Sequence, residues 1–274
     1  GCRTARLLPR DGRPSVGSAV MKTIFDACHL PTSATGLQTV PPTLVWETAD
    51  VSEGVAVRYP VWPGDAAEQL LGALREAGAR LADVPVQDLV DCIGRVAHRF
   101  LDSSDAIRHE AIELLVPTAG ISKEMASEIV TGMALDWTAG RLSELLSREL
   151  RDPGVLDGFR RVDEGREVRA KGPVLTFHVG AGTVPGVSVT SMIRALLVKS
   201  AVLLKPGLGD VVLPVLFARA LAEEAPELSD AVAVTYWPGG SSPLEGLALQ
   251  RAEAVLVYGG DEVVTSLRAR TPVT

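Results

Sequence analysis

The pattern of apolar and polar positions divides the chain into three stretches, each predicting a different kind of structure. From Pro41 to Pro60 the pattern is extended, and LVWETADVSEGVAVRYP alternates apolar and polar residues around a turn signal at 50–54, which predicts a β-hairpin. From 65 to 150 the apolar residues recur at helix spacing. Asp65 with Glu68 three residues later has the pattern of a capping box. Val86, Leu89, Val90, Ile93, Val96, Ala97 and Phe100 trace one face of a second helix. Ser104 or Asp105 is expected to cap a third, ending near Pro117. A fourth starts at about Ser122 and carries Met125, Ile129, Met133 and Trp137 on its predicted apolar face, with Leu142, Leu145 and Leu146 beyond.

After 171 the pattern changes to short apolar runs separated by helical segments. Strands are predicted near 174–179, 201–204, 231–236 and 254–258, and helices near 187–199, 211–224, 244–251 and 262–269. Strand–helix alternation with apolar strands argues an α/β fold, a parallel doubly wound sheet covered on both faces. The expected organisation is a tail over 1–40, a hairpin plus helical region over 41–150, a charged connection over 151–171, and an α/β domain over 172–274. Residues 1–20 are basic and rich in Pro and Gly, and Met21 makes a plausible start, so an upstream extension is expected there.

In an open parallel sheet, ligands bind outside the C-terminal ends of the strands. Four turns fall at such ends. Gly180, Gly182 and Gly186 punctuate the first, stiffened by Pro185; glycines there let backbone N–H groups approach a nucleotide. The second strand delivers Lys205, and Pro206 ends the strand and keeps the lysine aimed across the sheet edge. Gly239-Gly240 follows the third strand and Gly259-Gly260 the fourth. Taken singly, each turn is equally explained by turn geometry alone. Their joint occurrence, with a lysine one βαβ unit after the first, raises the binding reading.

The stretch AGTVPGVSVTSMIRALLVKSAVLLKP, 181–206, resembles the fatty acyl-CoA reductases of bacterial luminescence, within the aldehyde dehydrogenase superfamily. The resemblance covers roughly 62–274 and is strongest after 172. It implies an aldehyde-dehydrogenase-like fold: a Rossmann-type parallel sheet preceded by a helical region. The implied activity is reduction of an acyl-CoA to an aldehyde with NADPH or NADH, through a cysteine thioester. The cofactor-binding residues it implies are Gly182, Pro185, Lys205, Pro206, Gly239, Gly240, Gly259 and Gly260. Thr183 stands where the family usually has an asparagine that stabilises the oxyanion; threonine offers one hydroxyl donor in its place. Gly260 replaces the usual serine or threonine at the helix start facing the pyrophosphate. The family often has a glutamate soon after Lys-Pro. Here Gly207, Leu208 and Gly209 follow, with no carboxylate until Asp210, which leans the cofactor towards NADPH.

Cys2, Cys28 and Cys92 are the only cysteines; they form no metal or disulfide pattern and all precede the cofactor turns. The family's nucleophile follows those turns, so the chain reads as C-terminally truncated, with no catalytic cysteine in it. Cys92 is expected to be a small buried apolar group. Cys28-His29 invites a dyad, but neighbours in sequence rarely face one another. His178 beside the first turn is expected to be a hydrogen-bonded structural group. Alternatives left open are an acyl-phosphate reductase, an oxidising aldehyde dehydrogenase, and a non-catalytic nucleotide-binding or interaction module.

Composition narrows the partners. The net charge of −7 argues against nucleic acid or an anionic membrane surface, since both need a basic face. No window has the length and apolarity of a membrane span, and the opening residues lack the apolar core of a secretory signal. A cytoplasmic protein without a metal site is expected. Its expected substrate is an acyl-CoA, and its expected associations are a homo-oligomer or an acyl-transferring partner protein.

Overall fold

The computed structural model describes residues 22–31, 44–52, 54–240 and 242–272. Its first part is built from β1 (Thr23–Asp26), β2 (Cys28–His29), β3 (Trp46–Ser52) and β4 (Val55–Pro60). The helical region follows as α1 (Gly64–Leu81), α2 (Val86–Leu101), α3 (Ala106–Ala119), α4 (Lys123–Asp136) and α5 (Ala139–Leu150). A 3-10 turn (Pro153–Leu156) leads to a two-stranded ribbon, β5 (Arg160–Asp163) and β6 (Arg166–Val168). The alternating region runs β7 (Leu175–Val179), α6 (Val187–Leu197), β8 (Ala201–Lys205), α7 (Val212–Glu224), α8 (Pro226–Ser229), β9 (Val232–Thr235), α9 (Pro243–Arg251), β10 (Ala254–Val257) and α10 (Asp261–Arg270).

The main sheet has the order β10-β7-β8-β9-β2. Its first four strands are parallel, and β2 closes it antiparallel to β9. On β7, His178 meets Ser191 of α6 on one face, while Phe177 stacks on Trp237 on the other. The strands are mostly apolar on both faces because helices cover both, as parallel sheets require; the buried Thr176, His178 and Thr235 are exceptions.

Residues 1–40, expected to be a tail, contribute β1 and β2. β1 runs parallel to β4 beside the β3–β4 hairpin, and Ala27 then bridges two sheets: its N–H donates to Arg58 O and its carbonyl accepts from Tyr236 N. Strands of four and two residues are too short to carry a period-2 signal, and their pairing partners lie far along the chain. Residues 1–21 and 32–43 lie outside the described residues.

Two helix expectations need correction. The predicted box at Asp65 and Glu68 does not cap α1: its N-cap is Pro63, with no side-chain cap. On α4 the buried residues are Ala126, Val130 and Ala134, followed by Trp137 at the C-cap, whereas Met125 is 53% exposed. Small residues at 126 and 134 let α2 and α3 approach closely, so the buried face is one position on from the bulky one. Asp105 and Ser122 do cap α3 and α4 through their side chains.

Trp137 joins the helical region to the α/β region. Its ring lies 5.9 Å from Phe100 of α2 and 5.4 Å from Phe217 of α7, and its Nε1 donates to Thr190 Oγ1 on α6 at 3.1 Å. One hydrophobic core therefore runs through both regions.

Candidate nucleotide-binding edge

The strand register brings four turns to one edge of the sheet. Val179 pairs with both Lys205 and Val257, and Leu204 pairs with Val234. Beyond the strands, Gly180 N donates to Lys205 O and Tyr258 N to Val179 O, each at 2.8 Å. Along the chain the strands come β7, β8, β9, β10, but β10 returns to the other side of β7. That reversal is a topological switch point, where the crevice of an open α/β sheet opens. The turns that flank it carry Gly180–Gly186 and Gly259-Gly260.

In the first turn Gly182 and Thr183 are exposed and Pro185 is buried. Gly186 has φ 94°, and a Cβ there would come 2.6 Å from Met133 Cγ, so both conformation and space demand glycine. The turn after β8 packs against it backbone to backbone. A Cβ at Gly207 would collide with Gly182 N and lie 2.6 Å from Gly182 Cα, and one at Gly209 would strike Gly182 O. Pro206 is buried behind this contact. Asp210 follows and is fully buried; its carboxylate accepts from Gly186 N at 2.6 Å and Ser188 N at 3.0 Å. Burial pushes this carboxyl up to about 7 against those hydrogen bonds.

Lys205 is half-buried at the end of β8, with Nζ 5.9 Å from the Tyr236 ring centroid and 5.5 Å from that of Trp237. Burial pulls its pKa down, and the nearby Glu245 carboxylate pulls it back. Glu245 is itself buried. It accepts from Trp237 Nε1 at 3.0 Å and pairs with Arg270 at 2.7 Å. The ammonium thus sits in an aromatic corner with a buried carboxylate behind it.

The remaining two turns are open. Gly239, Gly240 and Gly260 are exposed, and a Cβ at any of them would meet nothing within 4 Å. Ser241 lies outside the described residues. Gly260 is the N-cap of α10 and no side chain caps that helix, which leaves its first N–H groups towards solvent. Asp261 and Glu262 in the first turn are exposed.

The histidine and cysteine groups sort cleanly. His178 bonds Ser191 Oγ at 2.7 Å and Thr176 Oγ1 at 3.0 Å in a buried network, and burial holds its pKa down at about 4. It is a structural group packed under α6. Cys28 and His29 do not form a dyad: successive strand residues point to opposite faces. Burial, with Asp26 nearby, pushes the Cys28 thiol up to about 12, while His29 is held at about 4 and bonds Ser229 Oγ at 2.8 Å. A thiol that stays protonated is a poor nucleophile. Cys92, expected to be buried, is half-buried and accepts from Arg95 at 3.1 Å. Cys2 lies outside the described residues.

Sequence reasoning placed Lys205 and the four glycine turns, and the structure gathers them at one edge. It missed the inward-facing Asp210 and the Tyr236–Trp237–Glu245 corner. The hydropathy of Trp237 was visible in the strand-end run, but nothing local marked Asp210 as a partner of a helix start 24 residues back.

Comparison with solved structures places the fold in the aldehyde dehydrogenase class. An NAD-dependent benzaldehyde dehydrogenase from Corynebacterium glutamicum matches with a TM-score of 0.63 at 16% identity, over 82% of this chain and 48% of that one. An NAD-dependent aldehyde dehydrogenase from Sinorhizobium meliloti matches with a TM-score of 0.65 at 14% identity, over 97% of this chain and 50% of that one. The family model for Acyl-CoA reductase (LuxC) matches residues 81–274, and the chain belongs to that family. Among curated relatives, the long-chain acyl-protein thioester reductase of Vibrio harveyi is 24% identical over 188 residues, 67% of this chain and 39% of that protein. Its counterpart from Photorhabdus luminescens is also 24% identical, over 66% of this chain and 38% of the relative. The chain thus spans about two fifths of the length of these relatives.

Proposed function

We propose that this chain forms the cofactor-binding part of an NAD(P)H-dependent reductase that converts a fatty acyl thioester to an aldehyde. The observation that carries the reading is Lys205 at the end of β8, its ammonium in an aromatic corner, amid four glycine turns at the switch-point edge of a parallel sheet. The residues fit a dinucleotide. Gly239, Gly240 and Gly260 leave space for close backbone approach, and the uncapped start of α10 offers N–H donors to a pyrophosphate.

Lys205 would bind the adenosine ribose, with Pro206 setting its direction. Gly182 and Pro185 would shape the turn that presents Thr183, whose hydroxyl would donate to the oxygen of the reacting carbonyl. A bound nicotinamide would supply the hydride. The only carboxylate close after Lys205-Pro206 in the chain is that of Asp210, and it is turned inward, while the Glu245 carboxylate behind the ammonium is buried and paired with Arg270; this leaves room for a 2′-phosphate and favours NADPH. The substrate is a long-chain acyl thioester, on CoA or on an acyl-transferring partner protein. Among the described residues neither cysteine suits the role of the attacking thiol, and in this reading the nucleophile is not one of them.

The test is the dissociation constant of the chain for NADPH and NADH, with and without Lys205→Ala. Tighter binding of NADPH, weakened at least about tenfold by Lys205→Ala (about 1.4 kcal/mol), is expected. Tighter binding of NADH would overturn the cofactor choice, and no binding of either would overturn the reading. Thioester-dependent NADPH oxidation by this chain alone would overturn the placement of the nucleophile elsewhere.

A further inference from the structure

We propose that Asp210 is the positioning residue of this edge: its carboxylate clasps the turn after β8 to the amides that open α6, and so holds the 180–186 turn in shape. Where that turn is said to serve a nucleotide and a reacting carbonyl, the inference rests on the function proposed above.

Three observations converge. Both carboxylate oxygens are used, one on Gly186 N and the other on Ser188 N, across 24 and 22 residues of sequence. The clasp closes over a contact with no side chains in it, where Gly182, Gly207 and Gly209 meet backbone to backbone. Such a contact has little apolar area to hold it, so a directional bond must fix its register. Finally, Gly186 has a left-handed φ of 94° and α6 has no side-chain cap of its own, so its opening amides depend on Asp210. Thr183 stands three residues before the clasped Gly186.

Asp210 does not work through another charged group. Its ionisation is set by burial against the hydrogen bonds from Gly186 and Ser188. The shift traces to burial and those hydrogen bonds, and none of the charged or titratable side chains on the elements packed around it is among its main causes: Arg108, His109, Glu110 and Glu113 on α3, Arg194 on α6, Lys205 on β8, and Arg219, Glu223 and Glu224 on α7. Because the closed clasp holds its proton up to about pH 7 and an opened one would release it near the ordinary carboxyl value, rising pH favours opening between those limits.

The test is the hydrogen-exchange protection of the Gly186 and Ser188 amides, read as a ratio to the protection of the β8 amide of Leu203 so that global destabilisation cancels. The wild-type chain is compared with Asp210→Asn, which keeps one acceptor and does not titrate, and with Asp210→Ala, which keeps neither. The expected ratio falls at least about tenfold in Asp210→Ala and less in Asp210→Asn. In the wild type it also falls as pH rises from 5 to 8, after correction for intrinsic exchange, and in Asp210→Asn that pH dependence is gone. An unchanged ratio in Asp210→Ala, or a wild-type pH profile in Asp210→Asn, would overturn the proposal. NADPH titration of the same proteins separates the two claims. Wild type that binds no NADPH defeats the proposed function, while the exchange ratios still decide the clasp. Wild type and Asp210→Ala that bind NADPH equally defeat the positioning role.

Discussion

Replacing Gly207 by alanine adds one methyl group at the place where the turns after β7 and β8 touch. Gly207 has φ −73°, which any residue adopts, so the backbone itself imposes no strain and the effect isolates the steric term. The new Cβ would collide with Gly182 N and stand 2.6 Å from Gly182 Cα and 2.7 Å from Ala181 C. Carbon atoms in contact prefer about 3.5–4.0 Å, so the two turns must part by about 1 Å. All three obstacles are backbone atoms, and none can rotate away. Overpacking of this kind costs about 1–3 kcal/mol, and the stiffer unfolded chain of alanine returns about 0.4–1 kcal/mol. A net loss of about 1–2 kcal/mol lowers Tm by about 2–8 °C in a chain of this size. The control is Gly132→Ala on the exposed side of α4, where a Cβ meets nothing within 4 Å and alanine is the better helix former by about 1 kcal/mol. Thermal unfolding of both variants decides the matter: the expected signs are opposite. A Gly207→Ala protein as stable as wild type would refute the backbone-on-backbone contact between the two turns.

Other expectations follow from the same structure. Trp137→Ala removes a fully buried ring, two edge contacts and the bond to Thr190, and is expected to cost about 3–5 kcal/mol by urea unfolding. His29 is buried neutral with its pKa lowered to about 4, so its unfolded form binds a proton first; the stability it contributes is present above pH 6.5 and lost as pH falls towards 4. The difference in unfolding free energy between wild type and His29→Gln should therefore shrink over that fall, by an amount on the order of 3 kcal/mol at most. Asp210, with a raised pKa, has the reverse sign: its contribution is present at low pH and lost as pH rises to about 7. The slope of wild-type stability between pH 4 and 6.5 is thus a partial cancellation, and Asp210→Asn should make stability rise more steeply with pH in that range.

The sheet was legible because its strands are predominantly apolar and alternate with helical segments. The run at 201–204 and the observed β8 differ only in that Lys205 belongs to the strand. Lys205 could be placed at the edge for the same reason. What surrounds it could not, since Tyr236 and Trp237 come from the end of the next strand and Glu245 from the helix beyond. The same limit hid β1 and β2, whose partners are β4 and β9, and whose few residues hold no pattern of their own. On α4 the period was read correctly and the phase was not: bulk suggested Met125, whereas close helix packing selected Ala126. In the sequence Asp210 stands out only as the first carboxylate after Lys205-Pro206. Its role depends on a bond between two turns, which only the assembled sheet brings within reach.

The turns at the switch-point edge are proposed to form a nicotinamide dinucleotide site. Titration of the isotope-labelled chain with NADPH, followed by backbone amide shifts, tests it most directly. The account predicts saturable shifts confined to 180–188, Lys205, 236–240 and 258–263, with β5 and β6 unmoved. Saturable shifts centred elsewhere, such as on the groove of about 830 Å³ that α8 lines with α1 and α2, or no shifts at all, would contradict it.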